Sequence, residues 1–277
     1  MEDTETSGRI SIAAAPDARA LMVTEAKAFQ DGYPQVVLDV REPESSGQVI
    51  SALLAGHADM AATGRDLEPE ERNMARQAGI ELEGHKIAQD AMCLVVPEAS
   101  TVRNVTVDEL QRIWSADIAD WGKLGGADGR IVPVLPALSS DLARAFTQRV
   151  MDGVPMRAPS VVEASDSAVA ATVARTRGAI GVVPMALAHA KGVRPLAIAA
   201  MAGMAYVEPD AESVHLGQYP LTHYIHLYRR TQGARLAGGF TTFVMSQPGQ
   251  ELVLASGRVP TAVPLRFVRR SPLLGSH

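Results

Sequence analysis

NVTVDELQRIWSADIADWGKLGGADGRIVPVLPALSSDLARAF (Asn104–Phe146) carries both tryptophans, Trp114 and Trp121, of a chain otherwise poor in aromatic residues. Thr106 with Glu109 three positions on has the spacing of a capping box, which predicts a helix start. Leu110, Ile113 and Trp114 then fall on one helical face. Gly125 and Gly126 end that run, and Ile131 to Leu135 has the apolar continuity of a short buried strand. Behind it comes Leu138-Ser139-Ser140-Asp141, followed by a periodic apolar pattern of Leu142, Ala145, Phe146 and Val150. A strand, a hydroxyl-rich loop and a helix start in succession suit an anion, because backbone N–H groups and the positive end of the helix dipole point into the loop. Ser and Asp are also common helix caps, so Ser139, Ser140 and Asp141 have a plain structural reading beside the binding one.

The same unit recurs nearer the amino terminus. Ile10 to Ala14 is a predicted strand, followed by Pro16, Asp17 as the expected cap, and a helix marked by Leu21, Glu25 and Phe29. Val36 to Val40 is a second strand. It leads through the loop Glu44, Ser45, Ser46 and Gly47 into a helix carrying Val49, Ile50, Leu53 and Leu54. Ala58 to Arg65 is a third strand and turn. Repeated strand–loop–helix units predict a parallel α/β sheet, with ligands at the carboxyl ends of its strands. Gln89 to Val96 is the expected first crossing into a second lobe, and Leu196 to Val207 the return.

Several segments together resemble the phosphate-binding (PstS-like) branch of the type 2 periplasmic binding proteins. They are the 104–146 stretch, Ala58 to Arg65, Arg177-Gly178-Ala179-Ile180-Gly181-Val182-Val183-Pro184, Tyr219-Pro220-Leu221-Thr222-His223, and the closing stretch Phe240 to Pro260. The resemblance covers roughly residues 9 to 262. It implies a two-lobed α/β fold, each lobe a mixed sheet flanked by helices, with a ligand cleft between the lobes. Residues 9–90 with 205–265 would form lobe 1, 91–204 lobe 2 and 266–277 a tail. It further implies a monomeric solute-binding protein of an ABC import system, with a small-molecule or oxyanion ligand and the transporter's membrane subunits as partners. Its place would be periplasmic or otherwise extracytoplasmic, with a signal or lipid anchor removed. The ligand-binding positions carried over are Asp17, Ala18, Ser45, Ser46, Gly47, Thr63, Gly64, Arg65, Ser139, Ser140 and Asp141.

The match to the family's oxyanion site is uneven. Where the family has an arginine ahead of its serine–glycine–threonine turn, this chain has Pro136, and the glycine and threonine become Asp141 and Leu142. Pro16 has no N–H to give, and Asp17 and Asp141 would set negative charge beside an anion. Arg65 is the expected cleft cation, with Arg144 facing solvent. The alternative reading is therefore a module whose phosphate site has degraded, serving as a sensor or partner-binding subunit or taking a non-phosphate ligand.

Composition narrows the classes further. A net charge of −5 with no basic block speaks against nucleic acid. Cys93 lies in an apolar run, without a disulfide partner or metal-type spacing. His223 and His226 stand three apart in a predicted strand, a poor metal pair, and no cofactor is indicated. The motifs G-x-S-x-G, H-E-x-x-H and the P-loop are absent from the chain, which speaks against an enzyme.

Overall fold

The computed structural model describes residues 3–41, 45–127 and 129–262. The expected tail, 266–277, and Glu44 lie outside the described residues. The chain begins β1 (Gly8–Ala14), α1 (Pro16–Gly32), β2 (Val36–Arg41), α2 (Ser46–Leu54), β3 (Met60–Thr63) and α3 (Pro69–Gln77). β1 pairs in parallel with β2 and with β3, the arrangement predicted for repeated strand–loop–helix units. In β1 the side chains of Ile10, Ile12 and Ala14 are buried at every second position, the period of a strand with one face on a core.

β4 (Leu82–Pro97) organises the rest. Every residue from Ile87 to Val96 is buried, so this stretch is covered on both faces. It runs without a break where a crossing between lobes was expected. Its first part pairs antiparallel with β11 (Thr222–Arg230) and its second with β8 (Ala179–Pro184), so one strand serves both halves of the sheet. Between them come β5 (Asn104–Thr106), α4 (Val107–Trp114), β6 (Val132–Pro136), α5 (Asp141–Phe146), β7 (Val161–Glu163) and α6 (Asp166–Arg175). After β8 follow β9 (Val193–Pro195), β10 (Ala197–Ala199) and α7 (Ala211–His215), and after β11 come α8 (Arg235–Met245), α9 (Gln247–Ala255) and β12 (Val259–Pro260). The spatial order is β2-β1-β3-β11-β4-β8-β6-β7, a mixed sheet, with β5 and β10 forming a separate pair.

Two apolar centres flank β4. The first half of the sheet packs Phe29 and Phe240 against Ile10, Leu21 and Leu227. The second packs Trp114 against Phe146, ring centroids 4.7 Å apart, with Leu94, Val134 and Val182 around them. Val214, Tyr219 and Leu221 belong to this second core, although the expected boundary assigned them to the first lobe.

The capping box at α4 forms as its spacing demands. Thr106 Oγ1 accepts from Glu109 N at 3.1 Å, and Glu109 Oε2 accepts from Thr106 N at 2.8 Å. Thr106→Ala is expected to cost about 1 kcal/mol, read as a lower urea midpoint at unchanged slope; an unaltered midpoint would mean that packing of Trp114 alone holds this helix. At α1 the expectation was half right. Pro16 occupies the first turn, but the cap is Ala15, and Asp17 lies inside the helix with no capping bond. Proline fixes the entry dihedral without help from a side chain, which frees Asp17 to face elsewhere.

Candidate functional site

Four loops at the carboxyl ends of β1, β2, β3 and β6 converge: the first three strands are mutually parallel, and β6, beyond β4, runs opposite to them, so its carboxyl end faces theirs. Asp17 comes from the start of α1, Ser46 from the start of α2, Gly64 from the turn after β3, and Asp141 from the first residue of α5. The first three belong to one half of the sheet and Asp141 to the other.

Asp141 is the centre of the arrangement. Its Oδ2 accepts from the Ser46 hydroxyl and from Gly64 N, the latter at 3.2 Å. Its Oδ1 is buried with no hydrogen-bond partner among the described residues. Both Ser46 and Asp141 are buried. Gly64 is small for a reason: a β-carbon there would lie 3.0 Å from Asp17 Oδ2 and 3.1 Å from Asp141 Oδ2. The two acids therefore crowd one face of the same glycine. Burial, and then the charge of Asp141 and of Asp166, push the Asp17 carboxyl up to about 8, with Arg258 pulling the other way. Asp166, at the start of α6, is also held above its ordinary range, by burial and by Asp90.

Several expected residues play supporting parts. Ser45 caps α2, accepting from Gln48 N. Ser140 caps α5, accepting from Ala143 N at 3.2 Å, while Ser139 is exposed. Thr63 is buried and donates its hydroxyl to the Arg65 carbonyl at 2.7 Å. Ala18 packs into the first core, and its N–H is taken by the Ala15 carbonyl. Gly47 borders Arg65, with a virtual β-carbon 3.9 Å from Nη2.

Arg65 differs from expectation. Its guanidinium makes a two-pronged pair with Glu71 at 2.8 and 2.7 Å, and its Nε lies 3.4 Å from Glu68. These carboxylates share its half of the sheet, so its charge is already matched. Arg144, expected in solvent, is 40% exposed and from there reaches across to Glu68 at 2.7 Å.

A cation that stands among the cleft acids is Arg258. Its Nε lies 3.0 Å from Asp90 Oδ2, and its Nη2 donates to the Asp17 carbonyl at 2.8 Å. Asp90 also accepts from Met185 N at 3.1 Å and Ala91 N at 2.7 Å. His223 is nearby. Burial holds its imidazole below the ordinary range against the pull of Asp90, and Nδ1 has no hydrogen-bond partner among the described residues. Sequence reasoning missed Asp90, Asp166 and Arg258. Arg258 sits 241 positions from Asp17 in an unremarkable Ser-Gly-Arg-Val turn, so no local signal marked it. Among the described residues no group of three His, Cys, Asp or Glu is placed to hold a metal ion.

The PBP superfamily domain matches residues 2–248. The chain is similar to the phosphate-binding protein PstS of Bacillus subtilis, 27% identical over 93% of this chain and 82% of that protein. It is also similar to PstS of Pseudomonas aeruginosa, 25% identical over 92% of this chain and 83% of that one. Among solved structures, an ABC-type phosphate transport receptor from Vibrio cholerae superposes with a TM-score of 0.77 at 23% identity, covering 91% of this chain and all of the other. PstS from Borrelia burgdorferi superposes at 0.68 with 18% identity, covering 92% and 99%. At these identities the structural likenesses speak to the fold, which is the mixed α/β arrangement described above.

Proposed function

Because this chain belongs to the PBP superfamily, we propose that it is the solute-binding component of an ABC import system, holding a small ligand between two lobes. The lobes are taken as residues 9–90 with 205–265, and 91–204, with Val214, Tyr219 and Leu221 packing onto the second. It acts by binding rather than catalysis, as an extracytoplasmic monomer that delivers its ligand to the membrane subunits of the transporter. Among the described residues no helix is long and apolar enough to cross a membrane. The observation that carries this reading is the reach of Asp141 from one half of the sheet to the Ser46 hydroxyl and Gly64 N–H of the other. A gap whose walls hydrogen-bond directly to each other is one that can shut on a guest.

The relatives named for phosphate suggest an oxyanion. One observation favours a second reading, in which the ligand is not phosphate or the module works as a sensor or partner-binding subunit. Asp17 and Asp141 stand on one face of Gly64, and Arg65 is committed to Glu71. A dianion in a desolvated pocket beside carboxylates is costly unless cations offset it.

A thermal-shift screen of the whole chain across phosphate, sulfate, phosphonates, amino acids and polyamines decides between the two. A ligand present at about 100 times its dissociation constant stabilises the folded state by about 2.7 kcal/mol, a shift of several degrees. A shift with phosphate or a phosphonate supports the first reading, and one confined to amines or amino acids supports the second. No shift with any solute would count against a solute-binding role.

A further inference from the structure

We propose that Asp141 is the specificity-determining residue of this cleft: its carboxylate occupies the seat of an oxyanion and latches the cleft shut. The inference rests on the solute-binding reading and identifies what controls that site. A hydroxyl at the start of a nine-residue helix and the backbone N–H of a tight turn form a donor pair suited to an oxygen anion. Both donors come from one half of the sheet, and both are given to a single oxygen that the other half supplies. The protein's own carboxylate is thus in the position an incoming oxyanion would need.

Three further features fit this arrangement. Asp141 is buried at the first position of α5, so it is a fixture of the closed cleft rather than a surface acid. Asp17 beside it is pushed up to about 8 and carries its proton at neutral pH, which removes the repulsion two ionised acids would feel. At the rim, Arg144 of the second half pairs with Glu68 of the first, closing the same gap. An oxyanion from solution must therefore displace Asp141 and then lie beside it. The carboxylate discriminates by taking the donors away.

The test compares the full chain with Asp141→Gly, which vacates the seat, and Asp141→Asn, which keeps an acceptor oxygen but removes the charge. Small-angle scattering without ligand reads lobe closure, and titration calorimetry with inorganic phosphate reads access to the donors. Wild type and Asp141→Asn are expected to be equally compact and to show only weak binding. Asp141→Gly is expected to have a larger radius of gyration and to bind phosphate about 100-fold more tightly than wild type, since two charge-assisted donors are released. Ser46→Ala, which leaves α5 untouched, is expected to expand the molecule as well, so the latch stays testable if Asp141→Gly folds poorly. Equal radii for Ser46→Ala, Asp141→Gly and wild type would overturn the proposal. So would phosphate affinity in Asp141→Gly within about threefold of wild type, or tight phosphate binding by wild type that Asp141→Gly weakens. A wild type that no solute stabilises would sink the solute-binding reading, while the ligand-free radii would still decide the latch.

Discussion

Arg258→Met is expected to destabilise the protein by about 3–5 kcal/mol, the usual cost of removing one partner from a buried ion pair. The arginine and Asp90 are 11% and 2% exposed, so water does little to replace the lost contact. Methionine retains much of the apolar stem, which confines the change to the charge and its hydrogen bond. Asp90 would be left with the Ala91 and Met185 N–H groups alone. The Asp17 carbonyl would lose its donor as well. Because Arg258 draws the Asp17 carboxyl downward, its removal is expected to move that group higher still. Urea unfolding at neutral pH measures the loss. Adding Asp90→Asn to Arg258→Met should recover part of it, since an amide needs no counter-charge. A loss below about 1 kcal/mol would mean that Asp90 finds another cation or that water enters.

Glu25→Gln is expected to act in the opposite direction and to stabilise the protein by about 3 kcal/mol near neutral pH. Glu25 lies on the inner stripe of α1 with Leu21, Met22 and Phe29, fully buried, and among the described residues neither carboxylate oxygen has a hydrogen-bond partner. Burial pushes its carboxyl from 4.5 up to about 8. The folded state therefore keeps a proton that the unfolded chain releases above about 4.5. Stability contributed by this group is fully present below that value and is lost as pH rises through about 8. Melting curves of the wild type should fall relative to those of Glu25→Gln across that window. Asp17 titrates in the same direction and is common to both proteins, so the difference isolates Glu25. Parallel curves from pH 5 to 8 would show that the acid has a partner or reaches solvent.

Glu25 also shows why periodicity is an incomplete guide. The spacing Leu21, Glu25, Phe29 marks the helix and its buried face correctly, because side chains four apart share a side. That the middle acid meets no hydrogen-bond partner among the described residues depends on which elements pack against α1, and nothing within the helix records it. The Thr106–Glu109 cap is the opposite case. Both partners lie within one turn, and the bond follows from helix geometry wherever the helix is placed.

The cleft divides along the same line. That β1, β2, β3 and β6 each feed a helix at a hydroxyl or acidic loop was legible from residue types and spacing. The direction of Arg65 was not, because Glu68 and Glu71 are only three and six residues away and claim it before the cleft can. Arg258 belongs to the closing segment of the chain and meets Asp17 and Asp90 only after that segment has packed across β4.

From the order of its residues alone, then, this protein was bound to form alternating strands and helices with loops at the carboxyl ends of parallel strands. Such features rest on dihedral preference, capping and apolar period, which act over a few neighbours. The occupant of the gathered loops was decided by tertiary structure. The contact from Ser46 to Asp141 spans 95 positions and exists only when two separately packed cores face each other across a shared strand. Short-range rules carry no term for that meeting, so an acid that looked like a helix cap became the group that fills the cleft.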